Sequence, residues 1–146
     1  MANEGGSQGI AVILVAHEGR LLLQLRDEKE GISLPGVWAI LGGGLEAGES
    51  PAQAAKRELL EEIGQSVAAL HLLGSVHWGR HTAHVFCGGA PFSEEAITVG
   101  EGRGFRFFSR EDIRRLEPVA PFVTPLLDAF IAGPLYERCR REAQGP

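Results

Sequence analysis

The chain has 146 residues, 44% of them hydrophobic and 23% charged, with a formal net charge of −5. That length allows one domain with a real core, expected over residues 1–146, since such a domain buries about 68–70% of its unfolded surface. The acidic balance argues against nucleic acid as partner, no apolar run approaches the roughly 18 residues of a membrane span, and two distant cysteines make no disulfide framework or zinc ribbon.

The first nine residues are polar and lack a hydrophobic signal core, so a soluble, cytoplasmic protein is the default. They and the tail over 138–146 read as frayed ends. Residues 9–16 form a β-branched apolar run, short enough for a buried strand. A glycine turn leads to a second strand over 21–27, and the two read as a hairpin. Residues 28–36 are a polar loop, and 37–41 a short strand running into a glycine turn at Gly42.

The clearest helix follows. Ser50 can cap it, Pro51 fits its first turn, Gln53 completes a capping box, and Gly64 is placed to end it after Ile63. Strands over 70–79 and 81–88 come next, with a turn near Gly79 and Arg80. Cys87 lies in an apolar run and reads as a buried thiol. A long loop spans 88–104, where function often resides. A strand over 105–109, a serine-capped short helix over 109–116 and an amphipathic helix over 120–133 complete the pattern. The order, three strands, a helix, three strands and two helices, is that of a mixed α/β domain with helices packed on a sheet.

At about 100° per residue, Glu58, Glu61 and Glu62 fall within one arc of the first helix. Leu59, Leu60, Ile63 and Ala52 fall opposite. Lys56 lies near the apolar side, where its stem can snorkel. Like charges three and four apart repel by about 0.2–0.5 kcal/mol per pair, and the closing turns of a helix disfavour anions. One account is a solvated face, because Glu is a good helix former. The other is a hard divalent cation: Mg²⁺ is held by carboxylates together with substrate phosphates, and coordination would relieve the repulsion.

The flanking residues favour the cation. Five residues separate Gly43 from Glu49, seven separate Glu49 from Arg57, and then come Glu58, Leu59, Leu60, Glu61, Glu62, Ile63 and Gly64. This resembles the Nudix box. Gln65 departs from its final aliphatic position, and Leu41 stands where many members carry proline. The resemblance extends to most of the chain. It implies an α/β fold, an α/β/α sandwich with a mixed sheet. It also implies hydrolysis of a nucleoside diphosphate linked to another moiety, with Mg²⁺ or Mn²⁺.

Carried over residue by residue, Glu58, Glu61 and Glu62 become metal ligands, and the Gly42 carbonyl is a further candidate. One carboxylate of the cluster orients or deprotonates water. Arg57 orients the carboxylates, with Glu49 as its ion-pair partner. A downstream acid often joins the site; Glu101 ranks first here, ahead of Glu94, Glu95 and Glu117.

The proline expected in ADP-ribose hydrolases near Arg80 is missing, as is the tyrosine of dinucleoside polyphosphate hydrolases. The extra motifs of coenzyme A and NADH hydrolases are not found either. Nucleoside di- or triphosphates and nucleotide sugars remain. Trp78 could stack on a base, and Arg80 or Arg26 could meet a phosphate. Zinc at His77, His81 and His84 is disfavoured, because alternating strand residues point to both faces. The expected partner is a nucleotide-type small molecule, with no nucleic acid and no membrane; a homodimer is left open. The alternative function is a binding or regulatory module that keeps the fold without turnover.

Overall fold

The computed structural model describes residues 9–25, 36–78, 80–97, 104–117 and 119–144, all but the side chain of Trp78. Its strands are β1 (Gly9–His17), β2 (Arg20–Leu25), β3 (Trp38–Gly44), β4 (His71–Trp78), β5 (His81–Gly89) and β6 (Gly104–Ser109). The helices are α1 (Pro51–Ile63), α2 (Arg110–Arg115), α3 (Val123–Ala132) and α4 (Leu135–Ala143), with a short 3-10 helix at Glu94–Ala96.

One six-stranded sheet runs in the order β4-β5-β1-β3-β2-β6. β1 pairs parallel with β5 and antiparallel with β3, so the sheet is mixed. The central strand β1 is buried on both faces, which explains its unbroken apolar run. Side chains alternate along it. Ala11, Ile13 and Val15 pack with Ala54, Ala55, Leu59 and Ile63 of α1. Val12, Leu14 and Ala16 pack with Ile113 of α2, Leu127 and Phe130 of α3 and Cys139 of α4. The result is the expected α/β/α sandwich.

Four expectations need correction. The β1–β2 hairpin is closed only at its turn, by Ala16 opposite Leu21 and His17 opposite Arg20. Beyond that, the strands part and β3 enters between them. The C-terminal tail is not frayed through its length: α4 reaches Ala143, and Cys139 and Ala143, four residues apart, are buried. Gly89 lets it approach, since a Cβ there would strike the Cys139 carbonyl.

The third correction concerns the glycines. Gly42 and Gly43 do not form a turn; they are strand residues of β3, paired with Val12 and Ala11. They are glycines because of close approach. A Cβ on Gly42 would meet the Ala11 carbonyl and Val12, and one on Gly43 would land on the Glu58 carboxylate. The long loop is also shorter than expected at its start, because β5 continues through Gly89.

Candidate active site

The start of α1 forms as its sequence dictates. Ser50 Oγ accepts from the Gln53 amide at 3.1 Å, and Gln53 Oε1 accepts from the Ser50 amide at 2.9 Å. A cap of this kind is worth about 1 kcal/mol. Gly64 closes the helix at φ 67°, a left-handed conformation that costs a side chain.

The helix sits with a different face to the sheet than a wheel of apolar residues implies. Ala54, Ala55, Glu58, Leu59 and Ile63 are buried, whereas Ala52 is exposed and Leu60 is 61% exposed. Glu58 thus lies on the packed side, over Gly43, where the sheet carries no side chain to exclude it. Glu61 is exposed and Glu62 half-buried.

Arg57 is the hub. Its Nε donates to Glu49 Oε2 at 2.7 Å and its Nη2 to Glu49 Oε1 at 2.9 Å, a two-pronged fork. Nη1 reaches Glu58 Oε2 at 3.0 Å and Glu61 Oε1 at 3.2 Å. Nη2 also donates to the Gly44 carbonyl at 2.9 Å, tying α1 to the end of β3. Glu46 stands 3.6 Å from Nη1. Much of the like-charge repulsion along α1 is thereby offset.

Charge and burial pull two of these acids apart. The hydrogen bond from Arg57, helped by the Glu46 amide and by the guanidinium charge, holds Glu49 below the usual carboxylate range. Burial raises the Glu58 carboxyl above its ordinary value, outweighing the Arg57 hydrogen bond and charge. The acids around it, Glu49 above all, push Arg57 up.

The sequence reading passed over Gln24. It is a buried polar residue in the apolar strand β2, on the same face as Leu22 and therefore toward α1. Its Nε2 donates to Glu62 Oε1 at 3.1 Å. Its buried Oε1 has no hydrogen-bond partner among the described residues. A lone amide inside the run Leu21 to Leu25 was the available signal, since buried polar groups need a partner.

Among the downstream acids, Glu94 Oε1 accepts from the Phe107 amide at 3.0 Å, satisfying a donor of the edge strand β6. Glu95 is exposed and accepts from Ser93 Oγ at 2.7 Å. Glu117 is exposed. Arg26 and Glu101 lie outside the described residues, as does the side chain of Trp78. Arg80 is exposed at the turn after β4. Across the sheet from α1, a cavity of about 370 Å³ is lined by Val12, Val76, His77, Pro121, Phe122 and Leu126, among others. His77 lines it, with Val76 and Ala83 of the same strand pair, and Arg80 does not.

The donor set suits a hard cation. Glu58, Glu61 and Glu62 offer only oxygen, Glu58 is a buried acid whose charge a cation would compensate, and Gln24 Oε1 is a buried acceptor left over beside Glu62. Here Glu58 and Glu61 turn to Arg57 while Glu62 turns to Gln24.

The Nudix domain model matches residues 7–130. The chain belongs to the Nudix family. It is 41% identical over 70 residues to the oxidized purine nucleoside triphosphate hydrolase of Danio rerio, which covers 48% of this chain and 43% of that protein. It is 41% identical over 54 residues to the nucleoside triphosphatase NudI of Escherichia coli (strain K12 / DH10B), covering 37% and 38%. The chain thus matches less than half the length of these curated relatives. The crystal structure of a MutT protein from Methanosarcina mazei Go1 superposes with a TM-score of 0.75 at 22% identity, covering 87% of this chain and 94% of that one. Among the described residues, no helix of this Nudix chain is long and apolar enough to cross a membrane.

Proposed function

We propose that the chain is a metal-dependent pyrophosphohydrolase that cleaves a nucleoside diphosphate linked to another moiety, with nucleoside di- or triphosphates and nucleotide sugars favoured. The observation that carries this reading is Arg57, forked onto Glu49 and bonded to Glu58 and Glu61. The names of the Danio rerio and Escherichia coli relatives support the triphosphate class.

Glu58, Glu61 and Glu62 would hold Mg²⁺ or Mn²⁺, with the Gly42 carbonyl as a further donor. When bound, such a cation neutralises phosphate charge and lowers the pKa of a bound water. Arg57 keeps Glu58 and Glu61 turned toward one another's side of α1, and Glu49 fixes the guanidinium. Gln24 holds Glu62 against the sheet. A carboxylate of the cluster takes the proton of the attacking water. Glu101 is the acid expected from the far wall. The cavity lined by His77 and Phe122 has the volume of a small-ligand pocket and would take the nucleoside or its linked moiety.

The test is a hydrolysis screen over nucleoside triphosphates, diphosphates, nucleotide sugars, ADP-ribose and dinucleoside polyphosphates, with Mg²⁺ or Mn²⁺ and again with excess EDTA. Turnover of at least one nucleotide that stops with EDTA is expected. Undiminished turnover in EDTA refutes metal dependence. Binding with no turnover of any substrate favours the regulatory module.

A further inference from the structure

A second cluster of ligating side chains lies on the other face of the sheet from α1. His71 opens β4, opposite Cys87 of β5, and Cys139 and Glu142 lie three apart on α4, on one side of that helix. One ligand atom from each of His71, Cys139 and Glu142 falls within 4.8 Å of the other two. His71 Nε2 is 3.0 Å from Glu142 Oε1. Arg138 Nε lies 3.8 Å from the other carboxylate oxygen and competes for it.

We propose that His71 Nε2, Cys139 Sγ and the Glu142 carboxylate form a second metal site, of the Zn²⁺ class. The donors decide the class. One sulfur, one imidazole and one carboxylate suit Zn²⁺ and fit Mg²⁺ or Ca²⁺ poorly. Three protein ligands leave the fourth tetrahedral position to water. An ion pair accounts for His71 and Glu142, and core packing for Cys139; the metal site accounts for the convergence of all three ligand atoms within 4.8 Å of one another. Cys139 is fully buried while His71 and Glu142 are partly exposed, which leaves an entry path from solvent.

Cys87 Sγ lies beside the cluster and donates to the His71 carbonyl at 3.7 Å, which ties the start of β4 to β5. Metal binding deprotonates Cys139 and releases that proton to solvent. It also replaces the His71–Glu142 contact with two metal–ligand bonds. Cys87 is a positioning residue here, not a ligand.

Co²⁺ added to the full chain tests this, because only thiolate ligation produces an intense sulfur-to-cobalt charge-transfer band. The wild type is expected to show the band, saturating at one Co²⁺ per chain, and to lose it when Zn²⁺ is added. Glu61→Gln should keep the band, which separates this site from the α1 acids and makes the result independent of the proposed hydrolase activity. Cys139→Ser and His71→Ala should abolish it, and Cys87→Ala should retain it. Zn²⁺ should raise the melting temperature of the wild type more than that of His71→Ala, whose side chain is partly solvent-facing and leaves the core intact. No band in the folded wild type overturns the site. A band that survives Cys139→Ser, or disappears with Cys87→Ala, overturns the ligand set.

Discussion

Around Arg57, neighbouring acids carry opposite stability signs. The Glu49 carboxyl is held below 4.5 in the folded chain. Its contribution is therefore present above that value and lost as pH falls through the folded pKa. The Glu58 carboxyl is raised above 4.5. Its contribution is full below 4.5 and lost as pH rises through the folded pKa, because the unfolded chain ionises first. In EDTA at pH 7, Glu49→Gln should melt below wild type, and Glu58→Gln level with it or higher. Both differences should shrink as pH falls below 4.5. Thermal melts followed by circular dichroism at pH 7 and at about pH 3.5–4 read the result; shifts of the same sign would contradict this account. Arg57→Lys keeps the charge and loses the fork. Losing one charge-assisted bond costs about 1.5–3 kcal/mol. The expected fall in kcat is about ten- to a hundredfold, with little change in secondary structure. Wild-type kinetics would rule out a forked role.

At the scale of the element, the limits of α1 were legible and its orientation was not. Ser50 and Gln53 mark its start and Gly64 its end with local hydrogen bonds, and Pro51 fixes the first-turn φ, all of which sequence encodes directly. The buried face depends on what it meets. At Gly43 the sheet presents bare backbone, so a carboxylate packs there and Leu60 stays outside. An apolar wheel cannot register a neighbour without a side chain. Helix α4 was missed for a similar reason: most of its residues are polar, and its buried anchors are only Cys139 and Ala143. A paired substitution checks the Gly43 argument. Gly43→Ala puts a Cβ onto the Glu58 carboxylate, whereas a Cβ on Gly44 meets nothing within 4 Å. Gly43→Ala should cut kcat on the order of tenfold or more by displacing a proposed ligand, while Gly44→Ala stays near wild type. Equal kcat values for the two variants would mean that Glu58 needs no such seat.

Across the whole molecule, β1 separates two working surfaces. Its odd residues support α1 and the acid cluster; Val12, from its even set, lines the cavity opposite. Sequence patterns marked the six strands, and the family resemblance supplied the sandwich. They could not give the insertion of β3 between β1 and β2, which is a long-range pairing with no local turn signal. Nor could they bring Phe122 and Leu126 to His77, which are far apart in the chain. If the acid cluster does chemistry and the cavity holds the rest of the substrate, the two surfaces should separate kinetically. Glu61→Gln should lower kcat on the order of a hundredfold, since it removes charge that acts on the developing transition state. Phe122→Ala should raise KM several-fold with kcat changed less than about twofold, because it removes binding that ground and transition states share. Both variants would be assayed at saturating Mg²⁺ on the nucleotide turned over best by the wild type, after melting curves establish that each is folded. A kcat loss for folded Phe122→Ala as large as that for Glu61→Gln would place the cavity residue in the chemistry. An unchanged KM would show that substrate lies elsewhere.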